Sequence, residues 1–166
     1  MSTEKTVQEL AQLLGDKLIQ TGSSIATAES CTGGGVAYAI TEISGSSQWF
    51  DRSFVTYSND AKMQMLKVDH HLIDTFGAVS EQVVEAMSSA AILFSNANIS
   101  VAISGIAGPN GGSDEKPVGT VCFSWCRLNN EQNNYLKTKT YHFHGDRKEV
   151  RIQAIKIALN GLIDII

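Results

Sequence analysis

Ser24-Ile25-Ala26-Thr27-Ala28 runs into Glu29-Ser30-Cys31-Thr32 and three consecutive glycines, and then Val36-Ala37-Tyr38-Ala39-Ile40 resumes. A short buried run, a glycine corner and a helical continuation predict a strand-to-helix turn. Elements of both kinds surround it. Val7, Leu10, Leu14 and Leu18 recur at helical spacing, widened by Leu13 and Ile19, and Thr21-Gly22 ends that first helix. After a loop at residues 44–48, Phe54-Val55-Thr56-Tyr57 reads as a second strand. Ser58 or Asn59 caps a helix through Lys62 and Met65, and Ser80 caps a longer one with Val83, Val84, Met87, Ala91 and Phe94 inward.

Residues 99–104 are apolar almost throughout, which suits a strand inside a sheet. Residues 118–125 and 135–143 read as two further strands joined by a polar turn at Asn129-Asn130-Glu131. Asp146-Arg147-Lys148-Glu149 is a capping-box pattern, and Val150, Ala154, Ile157 and Leu162 carry the last helix. Early alternation followed by a strand pair predicts a three-layer α/β/α fold with a mixed sheet of about five strands. With 166 residues and no repeat or linker, residues 1–166 are expected to form one domain.

Composition narrows the function. Hydrophobic residues make up 43% and charged ones 18%, a globular balance. A net charge of −4 without a basic run argues against nucleic acid or an anionic membrane as partner. Cys31, Cys122 and Cys126 are odd in number and form no CxxC pair, which fits a reducing cytoplasm. The polar start MSTEKTVQEL is no signal peptide, and no apolar stretch approaches the ~20 residues of a membrane span. A soluble cytoplasmic protein is expected.

Glycines at a strand-to-helix turn let main chain approach a ligand and leave the first helical N–H groups free for a phosphate or an oxyanion. Ser30 occupies the corner, as at a nucleophile elbow, although GxSxG is absent. A tight turn with Thr32 as an ordinary N-cap is the plainer reading. Cys31 is the better intrinsic nucleophile, but none of His70, His71, His142 and His144 is tied to the turn to activate it. A serine needs a base, and Tyr57-Ser58-Asn59-Asp60-Ala61-Lys62 offers a lysine near a helix N-terminus, where the ammonium form is disfavoured. Most such lysines are merely solvated, so this spacing is a weak signal alone. His142 and His144 alternate along a strand without an accompanying carboxylate or thiol cluster, and His70-His71 resembles helix-end surface; no metal site is expected. Arg147 binds an anion or forms a salt bridge.

TAESCTGG, GSSQWF, FVTYSNDAK, GAVSEQVV, SGIAGPNGGSDEKPVGTV and the late GDR together resemble the CinA C-terminal domain family, in particular its stand-alone bacterial nicotinamide-nucleotide amidohydrolases. The resemblance covers essentially the whole chain. It implies conversion of nicotinamide mononucleotide and water to nicotinate mononucleotide and ammonia in pyridine-nucleotide salvage, with no cofactor, and commonly a homodimer. Carried over residue by residue, it implies a catalytic Ser30, Lys62 and Tyr57. Substrate-binding candidates are Cys31, Thr32, Gly33 and Gly34, then Ser46 and Ser47, then Ser104, Gly105 and Gly108 of the 104–119 loop, with Arg147 as a charged clamp. The alternatives are a non-catalytic nucleotide-binding or competence-related interaction module, and a serine hydrolase of another amide or ester.

Overall fold

Side chains alternating across one mixed sheet sort the helices into two outer layers. In the computed structural model, which describes residues 4–129 and 134–166, the strands are β1 (Ile25–Glu29), β2 (Phe50–Val55), β3 (Ile99–Gly105), β4 (Thr120–Arg127) and β5 (Tyr135–His142). Their spatial order is β2-β1-β3-β4-β5. β1 runs parallel to β2 and β3, and β4 antiparallel to β3 and β5. The helices are α1 (Val7–Thr21), α2 (Gly35–Thr41), α3 (Asn59–Leu66), α4 (His70–Phe76), α5 (Glu81–Leu93) and α6 (Arg147–Ile165). The expected three-layer architecture with five strands is the one observed.

The two sheet faces differ in side-chain size. Ile25, Val101, Ile103, Phe123 and Trp125 form the bulky face, packed with residues of α1, α2 and α6. The other face carries Ala26, Ala28, Ala102 and Cys122, and Val83, Val84 and Met87 of α5 pack on it. Small sheet residues let α5 come close enough for Ser88 Oγ to lie 2.8 Å from Ser124 Oγ, while Ser100 Oγ donates to Ser88 O at 2.7 Å. Those buried hydroxyls are thereby satisfied. Capping boxes open α1 (Thr6 with Glu9) and α6 (Asp146 with Glu149). Arg127 Nη1 donates to Ile165 O and Ile166 O, neutralising the orphan carbonyls at the end of α6.

Several sequence expectations shift. β2 begins at Phe50 rather than Phe54 and stops before Tyr57, because it is an edge strand whose Asp51 and Arg52 face solvent and mask its apolar pattern. α4 was not anticipated; in its seven residues only Ile73 is buried, too little for a readable stripe. Ser46–Gln48 is a short 3-10 turn within the expected loop. β4 begins at Thr120, and β5 ends at His142, so His142 and His144 do not share a strand face. Phe94 follows the last turn of α5 and is exposed, as is Ile19 on α1. The polar turn placed at Asn129-Asn130-Glu131 falls partly on residues outside those described.

Candidate active site

β1 lies between two parallel neighbours, and Ser30 follows directly at its carboxyl end. Open α/β sheets bind ligands at such ends, where successive connections leave on opposite faces. Ser30 N donates to Ile103 O at 3.0 Å and Thr56 N to Glu29 O at 2.9 Å, extending both pairings past the strand. The chain then turns through Gly33 and Gly34 at φ 59° and 91°, left-handed values that favour glycine. Gly35 has a different duty: a Cβ there would meet Ile155 Cδ1 at 2.7 Å, so its absence lets α2 and α6 close.

The residue before Ser30 decides what this turn can bind. Glu29 is 0% exposed, and its carboxylate accepts from Thr32 Oγ1 (2.8 Å), Val36 N (2.9 Å), Ala37 N (3.0 Å), Thr27 Oγ1 (3.1 Å) and Ser53 Oγ (3.2 Å). A buried anion thus occupies the α2 amides that the sequence offered to substrate, and offsets the positive end of that helix. The amides of Cys31 and Thr32 have no acceptor among the described residues.

Ser58 caps α3 through Ala61 N, which places Lys62 in the first turns of the helix and turns its side chain inward. Lys62 is 1% exposed, and Nζ donates to Thr56 O (2.9 Å), Tyr57 O (3.4 Å) and Ser30 Oγ (3.1 Å). Among the described residues no carboxylate pairs with it. Burial without a counter-ion penalises the ammonium form, so the Lys62 pKa lies below its ordinary 10.5. The same desolvation pushes the Cys31 thiol up to about 12. Cys31 is therefore a protonated, buried neighbour rather than a thiolate.

Tyr57 shows a divided disposition. Its carbonyl holds Lys62, yet its side chain is 61% exposed and its hydroxyl accepts from Arg147 Nη2 at 3.1 Å. Arg147 Nη1 also donates to Gly108 O at 2.7 Å, linking the Tyr57 rim to the 104–119 loop. A cavity of about 290 Å³ opens between them, lined by Ser30, Cys31, Lys62, Ser104, Gly105 and Gly108 among others. Among the described residues, Lys62 and Arg147 are the charged ones that line it. An acidic chain thus presents a cationic pocket.

The description "CinA C-terminal domain" matches residues 7–166. The chain belongs to the CinA C-terminal domain family. It is 48% identical to nicotinamide-nucleotide amidohydrolase PncC of Escherichia coli over 96% of this chain and 94% of that one. The protein of the same name from Pseudomonas putida is 45% identical over 96% of each chain. The solved structure of competence/damage inducible protein CihA from Agrobacterium tumefaciens is similar at TM-score 0.90, with 43% identity over 99% of both chains.

In this CinA C-terminal domain the expected residues separate into three groups. Ser30, Cys31, Tyr57, Lys62, Ser104, Gly105, Gly108 and Arg147 meet around one cavity. Thr32 is buried on Glu29, while Gly33 and Gly34 line a different cavity of about 520 Å³ between α1, α2 and α6. Ser46 and Ser47 lie at the opposite end of the sheet; Ser47 lines a hollow with Ser24, beside the start of β1. The sequence reading missed Glu29, whose signal was a single charge closing an apolar strand. It also missed Asn59 at the start of α3, and Ala78 and Val79 in the connection before α5, which help to line the pocket.

Proposed function

We propose that this chain hydrolyses the carboxamide of nicotinamide mononucleotide to nicotinate mononucleotide and ammonia, a pyridine-nucleotide salvage step. The names of its amidohydrolase relatives support the substrate. The observation that carries the chemistry is the 3.1 Å contact between a buried, carboxylate-free lysine amine and Ser30 Oγ. A neutral amine has two hydrogens for the carbonyls of Thr56 and Tyr57, and its lone pair then faces the serine hydroxyl.

In this reading Ser30 Oγ bonds to the carboxamide carbon as its proton passes to Lys62. The electron pair moves to the carbonyl oxygen, and main-chain N–H groups after Ser30 hold that oxyanion, each donor contributing about 3–4 kcal/mol. Cys31, whose amide is free, lines the pocket there. Lys62 returns the proton to nitrogen as the C–N bond breaks, releasing ammonia and leaving an ester on Ser30. Water then adds to that ester, giving its proton to Lys62, and the C–Oγ bond breaks as Ser30 regains its hydrogen. The electron-poor pyridinium of the substrate assists attack. Tyr57 serves through its carbonyl and as a wall, with proton traffic assigned to Lys62.

Incubation with nicotinamide mononucleotide, free nicotinamide and a simple ester tests the reading. Ammonia from the mononucleotide alone is expected. Turnover of the ester without any ammonia, or binding of the nucleotide without turnover, contradicts it.

A further inference from the structure

One charged contact ties the turn after Ser30 to α6. Arg151 stands one turn into that helix, and its Nη2 donates to Thr32 O at 3.0 Å. Ile155, a further turn along the same side, packs where Gly35 has no Cβ, so this side of α6 is pressed onto the turn. Among the described residues Arg151 has no carboxylate partner, and Thr32 O is its hydrogen-bond acceptor. The guanidinium is therefore directed at main chain. Burial raises the Cys31 thiol, and Arg151 is among the groups that oppose the rise, so its field reaches the residue beside Ser30.

A planar trans peptide carries its C=O and N–H in opposite directions. Thr32 O faces Arg151, so the N–H of the same peptide, that of Gly33, faces away and donates to Ser30 O at 2.9 Å. Ser30 O belongs in turn to the peptide whose N–H is that of Cys31. With its carbonyl held toward Gly33, that N–H is turned the other way; it has no acceptor among the described residues, and Cys31 lines the Ser30 pocket. Two peptide groups thus form a chain with a guanidinium at one end and a free donor at the other. Hydrogen bonds in series polarise one another, and those from a charged donor are the stronger. Gly35 N also donates to Thr32 O, at 3.0 Å, but as a neutral group. We propose that Arg151 is a positioning residue for the oxyanion: through the carbonyls of Thr32 and Ser30 it orients and polarises the Cys31 N–H that receives the negative oxygen formed from the carboxamide. This assignment rests on the hydrolytic reading. It gives Arg151 a part in turnover that acts through main chain rather than by contact with substrate.

Steady-state ammonia release by Arg151→Met and Arg151→Lys, with amide NMR spectra of both, tests it; kcat is counted per folded molecule from the same spectra. Losing an oxyanion donor outright costs about 10²–10³ in kcat, so loosening one in Arg151→Met is expected to lower kcat about tenfold with KM unchanged. Arg151→Lys keeps a charged donor and is expected to recover kcat to within about threefold of wild type. The Gly33 amide proton should move upfield in Arg151→Met as its bond to Ser30 O weakens. An unchanged kcat, a loss carried by KM, a lysine variant as slow as the methionine one, or an unmoved Gly33 resonance overturns the proposal. Wild-type protein that releases no ammonia while the resonance still moves contradicts the hydrolytic reading and leaves the coupling of Arg151 to the turn standing.

Discussion

At the scale of single residues, the site turns on a buried lysine ammonium whose hydrogen-bond partners among the described residues are all neutral oxygens. Taking such a charge out of water costs several kcal/mol, which the amine avoids by losing its proton. Attack needs the neutral amine, so kcat/KM is expected to rise with pH through an inflection below 10.5, the ordinary lysine value. A profile still climbing at that value contradicts a depressed Lys62. Stability follows the same linkage. The unfolded chain keeps the Lys62 proton up to about 10.5 and the folded chain loses it earlier, so between the two values the unfolded state binds more protons and stability rises with pH. Urea unfolding of wild type and Lys62→Met as a function of pH should show that rise in wild type alone. Cys31→Ala should keep ammonia release within a few-fold, since a thiol held near 12 is protonated at neutral pH. A loss on the order of a thousandfold would return the nucleophile to sulfur.

Among elements, the strand-to-helix turn is held from behind by Glu29 and above by α6. Glu29→Ala leaves Val36 N and Ala37 N without their acceptor, at about 1–3 kcal/mol for each buried group. Chemical denaturation should show that loss, and an unchanged midpoint would contradict the role given to Glu29. On the bulky face, a Cβ at Gly161 would run into the Trp125 indole, whose Nε1 donates to Ala158 O at 3.0 Å. Gly161→Ala is expected to cost about 1–3 kcal/mol and lower Tm, without changing KM in the folded fraction. Elements with a strong one-sided pattern were readable beforehand: α1, α5, α6 and the interior strand β3. The start of the edge strand β2 and the seven-residue α4 were not, because exposed charges and brevity erase the pattern that burial writes into a sequence.

For the whole molecule, the acidic surface and the cationic site pull in opposite directions. Attraction of an anionic substrate to Arg147 at the rim of the Ser30 pocket is screened by salt, so kcat/KM for the mononucleotide should fall as ionic strength rises. No salt dependence would remove electrostatic capture. The pairing of Ser30 with Lys62 was suggested by resemblance and by a weak spacing, and long-range folding brings the two together. Gly33 and Gly34 take the left-handed values of the turn and line the cavity between α1, α2 and α6, and Gly35 lets α2 pack on α6. Bare main chain reaches the pocket from the 104–119 loop instead, a contribution that no periodicity announces. The most direct measurement is mass spectrometry of peptides from protein quenched during turnover of nicotinamide mononucleotide. A nicotinate-mononucleotide ester on the Ser30 hydroxyl is expected, absent from Ser30→Ala. An adduct on Cys31, or undiminished ammonia release by Ser30→Ala, would contradict it.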